Sequence, residues 1–389
     1  MYFIPTPEID AVKLEISSTI NESSNNKLLV PYFALEMVTE GTNTKDAAQL
    51  DDFFDTYASE VETESGFENH GLSILTTKKH FDKVLPVFRE LLTEATFPEK
   101  ELSKRKKQKA LSIHINRDKN SHRASQLFRR ALFGENHPFG QIAEEKDVDA
   151  VSHEDLIDFY KEDLWTNSEI FLTGNLDESQ MNDIMREIGN IPVDFFPNPA
   201  INLPNQNQGK LIEEKEKSVQ SSIRIGCHLI PKSHPDYFKL NLMNTILGGY
   251  FGSRLIKNIR EDKGHTYGIY SSIGGLRHTD YWVVMADVIK EHGEAVIDEV
   301  YKEIDKLKYE PVSAHELEVV RNYMVGKLLS QFSSGFELIG RFKSIHQAGL
   351  DFGFYQQHLE YILRATPEDI MEVSNKYLLR EKMVEVIVG

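Results

Sequence analysis

The second half of this chain repeats the first. Laid over one another at a separation near 214 residues, the two halves keep four landmarks in the same order. Ser152-His153-Glu154-Asp155-Leu156 answers Thr366-Pro367-Glu368-Asp369-Ile370 at a separation of 214. Both read as helix starts, a Ser or Thr N-cap with acids in the first turn. Glu101-Leu102 answers Glu316-Leu317, and Gly174 answers Gly389, each closing an apolar strand-like run, both at 215. His80, followed by an apolar-periodic stretch, answers His292 at 212. This order predicts two homologous domains, 1–191 and 219–389. Between them, 192–218 holds Pro192, Pro197, Pro199 and Pro204 among Asn, Gln and Gly, a composition that favours an extended linker.

Each half opens with alternation, Val12–Ile16 in the first and Ser221–Gly226 in the second, which predicts a strand. Leu85–Leu92 and Val296–Ile304 have helical spacing. Strands followed by runs of helices predict an α+β fold: two homologous α/β sandwich domains, each an antiparallel sheet with helices packed on one face.

Charge narrows the partners. The chain carries 61 Asp and Glu against 44 Lys and Arg, a formal charge of −17. Such a surface repels phosphate backbones and anionic lipid alike, so nucleic acid is not expected as a partner. The basic run Ser103–Lys109 has helically spaced apolar neighbours (Leu102, Ala110, Leu111, Ile113) and reads as a solvated helix face. Asp51, Asp52, Asp55, Glu60, Glu62 and Glu64 read the same way, as a solvated acidic face, over a site for a basic peptide. The single cysteine, Cys227, lies in an apolar run and reads as a buried inert thiol. No run of 18 apolar residues exists, and the first residues have neither the basic start nor the apolar core of a signal peptide. The expectation is a soluble protein without membrane insertion, cytoplasmic, or periplasmic where a leader has been trimmed.

Two segments carry a family resemblance over essentially the whole chain. Leu247-Gly248-Gly249-Tyr250-Phe251-Gly252-Ser253-Arg254-Leu255 is followed by Ile259-Arg260-Glu261-Asp262-Lys263-Gly264-His265-Thr266-Tyr267. This resembles the glycine-containing turn, the Ser-Arg-Leu helix start and the Arg-to-Tyr segment of the insulinase-like M16 metallopeptidases, whose homologous halves close like a clam around a peptide cleft. In the first half, Tyr32 through Thr42 is similar to that family's inverted zinc motif, His-x-x-Glu-His with a trailing Met and Gly-Thr. Two His at i and i+4 on one helix face bind zinc, and the adjacent Glu activates its water. Aligned on Met37 and Gly41-Thr42, this chain has Tyr32 for the first His, Leu35 for the Glu and Glu36 for the second His. The helix expected to bring the third ligand reads Ala110-Leu111-Ser112-Ile113, without a carboxylate.

No metal or other cofactor is therefore expected in this chain. A replacement site from Glu36, His70 and His114 is weaker than reading those histidines as surface or cap residues, and His315-Glu316-Leu317-Glu318-Val319 only starts like a second zinc motif. The resemblance implies that Arg260 and Tyr267 contact the substrate backbone and the developing oxyanion, against the plainer reading of a helix-end Arg and a strand Tyr. Gly248 and Gly249 read as a helix C-cap and turn, or as a place of substrate approach. Some relatives split the work between two chains. The expectation is a catalytically incomplete, peptidase-like subunit that is not a zinc peptidase on its own, pairing as a heterodimer with a zinc-bearing M16 partner to bind and process peptides. The alternatives are a non-enzymatic peptide-binding or assembly subunit, or half of a longer four-domain peptidase.

Overall fold

A computed structural model describes all residues except 21–26, 190, 192, 194–208 and 277–278. It contains two five-stranded sheets. The first is built from β1 (Tyr2–Pro5), β2 (Ala11–Thr19), β3 (Glu60–Ser65), β4 (Asn69–Thr77) and β5 (Glu169–Gly174), in the order β1-β5-β2-β4-β3. The second has β6 (Gly209–Glu213), β7 (Gln220–Leu229), β8 (Thr266–Gly274), β9 (Asp280–Ile289) and β10 (Val384–Val388), in the order β6-β10-β7-β9-β8. Strand for strand the two orders are the same, so the sequence repeat is a repeat of topology. Three of the four pairings in each sheet are antiparallel; the exceptions are β1 with β5 and β6 with β10, which run parallel.

The repeated landmarks are repeated structure. Ser152 caps the helix His153–Glu162 and Thr366 the helix Pro367–Tyr377, each hydroxyl accepting from the amide of the Asp three residues on. His80 and His292 each end a short 3₁₀ turn that leads into a long helix, Phe81–Thr93 and Gly293–Tyr309. Gly174 and Gly389 close β5 and follow β10.

Contacts divide the chain into two compact units that do not follow the contiguous halves. One comprises Met1–His114, Ala143–Pro199 and Phe332–Lys343; the other Ile115–Ile142, Ala200–Gln331 and Ser344–Gly389. Each unit thus takes one segment from the other half of the sequence, and the helices expected on one face of each sheet are joined by one on the second. In the second unit the helix Asn120–Phe133 lies on β7 and β10, burying Ala124, Phe128 and Leu132 against Val384, Val386 and Val388. Arg123 grips Glu213 with two guanidinium nitrogens, and Arg224 of β7 reaches Ser125 and the Ser121 carbonyl. In the first unit Phe342 packs on Tyr2 and Phe171, while Lys343 pairs with Glu15 and Glu64. These residues sit on the sheet face opposite Val12, Leu14 and Ile16, which belong to the main core with Phe33, Leu72, Phe88 and Leu172.

The linker expected at 192–218 is shortened by this topology: 192 and 194–208 lie outside the described residues, while Gly209–Glu213 is the strand β6. Its register with β10 explains why an exposed, Lys- and Glu-containing run is a strand, since the neighbouring backbone supplies the order that alternation does not. Cys227 is buried, its thiol pushed up to about 12 by desolvation. The acids from Asp51 to Glu64 are all exposed, with Glu64 engaged by Lys343. No helix among the described residues is long and apolar enough to cross a membrane.

His70 corrects one expectation. It is not a surface or cap residue but lies buried on β4, with Nε2 against the Leu164 carbonyl and Nδ1 without a partner. Desolvation lowers its pKa from 6.5 to about 4. The unfolded chain takes this proton below about pH 6.5 and the folded chain only near 4, so the unfolded state binds more protons in between. The stability held above that window is lost as pH falls through it, by about 3 kcal/mol at most. Urea unfolding at falling pH is expected to show a steeper loss for the wild type than for His70→Gln, which keeps a donor to Leu164 but does not titrate. Parallel pH profiles would refute this assignment.

Candidate functional site

The helix Val30–Glu36 begins with Pro31 at its first turn, where a missing amide costs nothing. Helical spacing puts Tyr32 and Glu36 on one face and turns Leu35 into the core with Phe33 and Ala34. Facing them is the helix Glu99–Asp118, which contributes Arg105 and Lys109, also four residues apart. Glu36 accepts a 2.8 Å hydrogen bond from the Thr63 hydroxyl of β3 and lies 4.0 Å from the Arg105 guanidinium. Arg105 donates from Nε to Glu40 at 2.6 Å, and Glu40 is buried. The Lys109 ammonium stands 3.4 Å from the centre of the Tyr32 ring, a close cation–π contact. Burial raises the Tyr32 pKa, with Glu36 adding to the rise, so the phenol stays protonated; burial lowers that of Lys109 against an opposing pull from Glu36.

These residues do not fit zinc. Where the family has two imidazoles and a general base stand a neutral phenol, a leucine in the core and a carboxylate already engaged by Arg105 and Thr63. Two side-chain cations border the same face, and a divalent ion there would meet their repulsion. Ser112, one turn beyond, is exposed and offers no carboxylate. Glu36, His70 and His114 do not come together: among the described residues no group of three or more His, Cys, Asp or Glu side chains could hold a metal ion. The basic run is thus only partly a solvated face, because Lys104 and Lys107 are exposed whereas Arg105 and Lys109 turn to Glu36 and Tyr32. The matching four-residue spacings were the available signal, masked by five other polar residues in the run.

In the second half, the helix Tyr237–Asn244 passes into a π-helical turn, Thr245–Gly249. Gly248 and Gly249 lie inside that turn and are neither a C-cap nor open to a ligand on every side. A Cβ on Gly248 would stand 2.6 Å from the Ser271 amide nitrogen, so the residue must be glycine for the turn to meet β8. On Gly249 it would meet the Asn244 carbonyl at 3.1 Å. Asn244 ties the same junction together, accepting from Trp282 Nε1 at 2.9 Å and donating to the Ser271 carbonyl at 3.4 Å. A second π-helical segment, Ile256–Asp262, carries Arg260. π-helical turns are rare and recur at functional sites.

Arg260 lies with its guanidinium 5.0 Å from the ring centre of Phe251, itself 69% exposed. Tyr267 is 90% exposed, at an irregularity in β8 where the register with β9 slips between Thr266 and Ile269. Such a bulge re-aims a side chain. Thr266 fixes it, accepting from the Gly268 amide at 3.1 Å and donating to the Asp287 carbonyl at 2.6 Å. Among the described residues, Arg260 makes no ion pair and the Tyr267 hydroxyl no hydrogen bond. Arg254, by contrast, is engaged in a two-pronged pair with Glu316 at 2.9 and 2.8 Å, which the isolated His-Glu pair in the sequence did not suggest.

The seam between the two first-half helices depends on Arg105. Replacing it by Ala leaves Glu40 buried without its counter-charge, and a loss of about 3 kcal/mol in urea unfolding is expected, with Arg105→Lys recovering part of it. An Ala variant as stable as the wild type would mean that Glu40 does not depend on Arg105.

Comparison with known proteins agrees with this geometry. The pattern of the peptidase M16 inactive domain matches residues 150–324. The uncharacterized zinc protease YmxG of Bacillus subtilis is 24% identical over 78% of this chain and 75% of its own length. The non-peptidase homolog YmxG of Helicobacter pylori is 21% identical over 64% of this chain and 58% of its own. The crystal structure of a peptidase M16 inactive domain from Pseudomonas fluorescens superposes with a TM-score of 0.89 at 21% identity, covering 100% of this chain and 95% of the other. With two sheets of one topology, the chain has the fold of that crystal structure, and over residues 150–324 it is similar to the peptidase M16 inactive domain.

Proposed function

We propose that this chain is a non-catalytic M16 subunit that pairs with a zinc-bearing M16 chain and presents Arg260 and Tyr267 to a peptide held at the partner's zinc. The observation that carries the reading is an asymmetry between the halves. Every zinc-motif position in the first half is occupied by a group that cannot serve or is already engaged. In the second half, by contrast, a guanidinium and a phenol stand without hydrogen-bonding partners among the described residues, on a backbone shaped by two π-helical turns and a bulge.

The chemistry suits the residues. A guanidinium offers a rigid fork of donors to peptide carbonyls, and a phenol donates to the oxygen that becomes negative as a carbonyl is attacked. The partner supplies the zinc, its ligands and the general base, and this chain supplies binding and charge stabilisation. A relative's name, non-peptidase homolog, supports the same division. An assembly subunit without a peptide role would have no need to leave Arg260 and Tyr267 unengaged.

The test is reconstitution. This chain purified alone is expected to contain substoichiometric zinc and to leave a quenched peptide intact. With a zinc-bearing M16 chain expressed beside it, cleavage is expected, falling by about 10²-fold or more when Arg260→Ala and Tyr267→Phe are combined. Stoichiometric zinc in this chain, or full turnover by the doubly substituted pair, would overturn the reading.

A further inference from the structure

The first-half site, having no use for a metal, has donors to spare. Among the described residues the Lys109 ammonium has no hydrogen-bond or ion-pair acceptor; its one close contact is the ring face of Tyr32. The Tyr32 hydroxyl likewise has no hydrogen-bond partner among the described residues. Glu36, the carboxylate that acts on both, is engaged by Thr63 and Arg105, and Glu40 is taken by Arg105. An ammonium carries three donors and a phenol one, and leaving them idle in a half-buried place forgoes charge-assisted hydrogen bonds.

The surroundings define what those donors accept. Counting Arg105 and Lys109 against Glu36 and Glu40, the seam is formally neutral. A singly charged group with two oxygens matches one ammonium and one hydroxyl, whereas a phosphate dianion would be left undercompensated beside two carboxylates. The seam also borders β3, an edge strand whose Thr63 is bonded to Glu36. An edge strand pairs with an extended peptide through its free backbone groups. We infer that Lys109 and Tyr32 form a carboxylate-binding site that anchors a peptide lying along β3. The site is set on the segment that resembles the zinc motif, and it would make that place one of retention rather than cleavage. This rests on the reading that the chain handles peptides, and it adds the chemical class of the group that is recognised.

The carboxylate can be a C-terminus or an Asp or Glu side chain, and three alanine-rich peptides separate the two: one with a free C-terminus, one amidated, and one amidated with a central Glu. Calorimetric titration into the full chain is expected to show the amidated, Glu-free peptide bound about tenfold more weakly than one or both of the others. Whichever binds tightly identifies the source. Lys109→Met is expected to erase the difference and Tyr32→Phe to reduce it. The second variant is conservative enough to stay folded should the first not, as thermal melting would show. Equal binding of all three peptides, or a preference that survives in both variants, overturns the carboxylate site while leaving peptide binding intact. Absence of any binding by the wild type overturns the peptide reading with it.

Discussion

A carboxylate at the meeting of two helices must have a counter-charge, because the seam withdraws it from water faster than it withdraws it from other charges. Glu36 and Glu40 occupy such a seam between Val30–Glu36 and Glu99–Asp118, and Arg105 reaches both. In a zinc peptidase the corresponding demand runs the other way: a dication needs ligands, and the helices are positioned to bring them. Here the positive charge is covalently part of the second helix. The seam thus carries its positive charge in its own side chains. Leu35, on the same helix, is part of the core.

The second half is under the opposite constraint. Gly248 is tolerated only as glycine because the π-helical turn brings it against Ser271, and Asn244 and Trp282 fix that contact from beneath. Thr266 holds a bulge whose visible result is to send a tyrosine into solvent. Each of these devices is locally less favourable than a regular helix or strand. The first-half helix Val30–Glu36 has no such irregularity, although the two sheets share one topology.

Much of this was legible in the sequence, for identifiable reasons. The caps at Ser152 and Thr366 are side-chain chemistry acting within four residues, and they read correctly. So did the alternation in β2 and β7 and the helical spacing of Leu85–Leu92 and Val296–Ile304, which lie inside the helices Phe81–Thr93 and Gly293–Tyr309. What failed to read depends on pairing across the chain. β6 has little intrinsic strand character and exists because β10 lies beside it. Reassignment of 115–142 and 332–343 between the compact units is a matter of which sheet face needed covering, and no local pattern encodes that. His70 looked like any polar residue near a turn, yet its burial follows from the β4 register with β2 and β3.

The candidate site divides along the same line. Tyr32, Leu35, Glu36, Arg260 and Tyr267 were singled out in the sequence by resemblance to motifs of short spacing. Arg105 and Lys109 were not, since their significance is that two four-residue spacings, about seventy residues apart in the chain, meet face to face. Charge counting along a helix treats every lysine in a basic run as equivalent, whereas the structure distinguishes them by what each one faces. Lys104 reaches its neighbour Glu101 at 3.2 Å, an exposed pair of little energetic consequence. Lys109 sits on an aromatic ring in a half-desolvated seam with its hydrogen bonds unspent. The same residue type in one run is therefore solvated in one place and packed on a ring in another, and the difference lies in a partner that only the fold supplies.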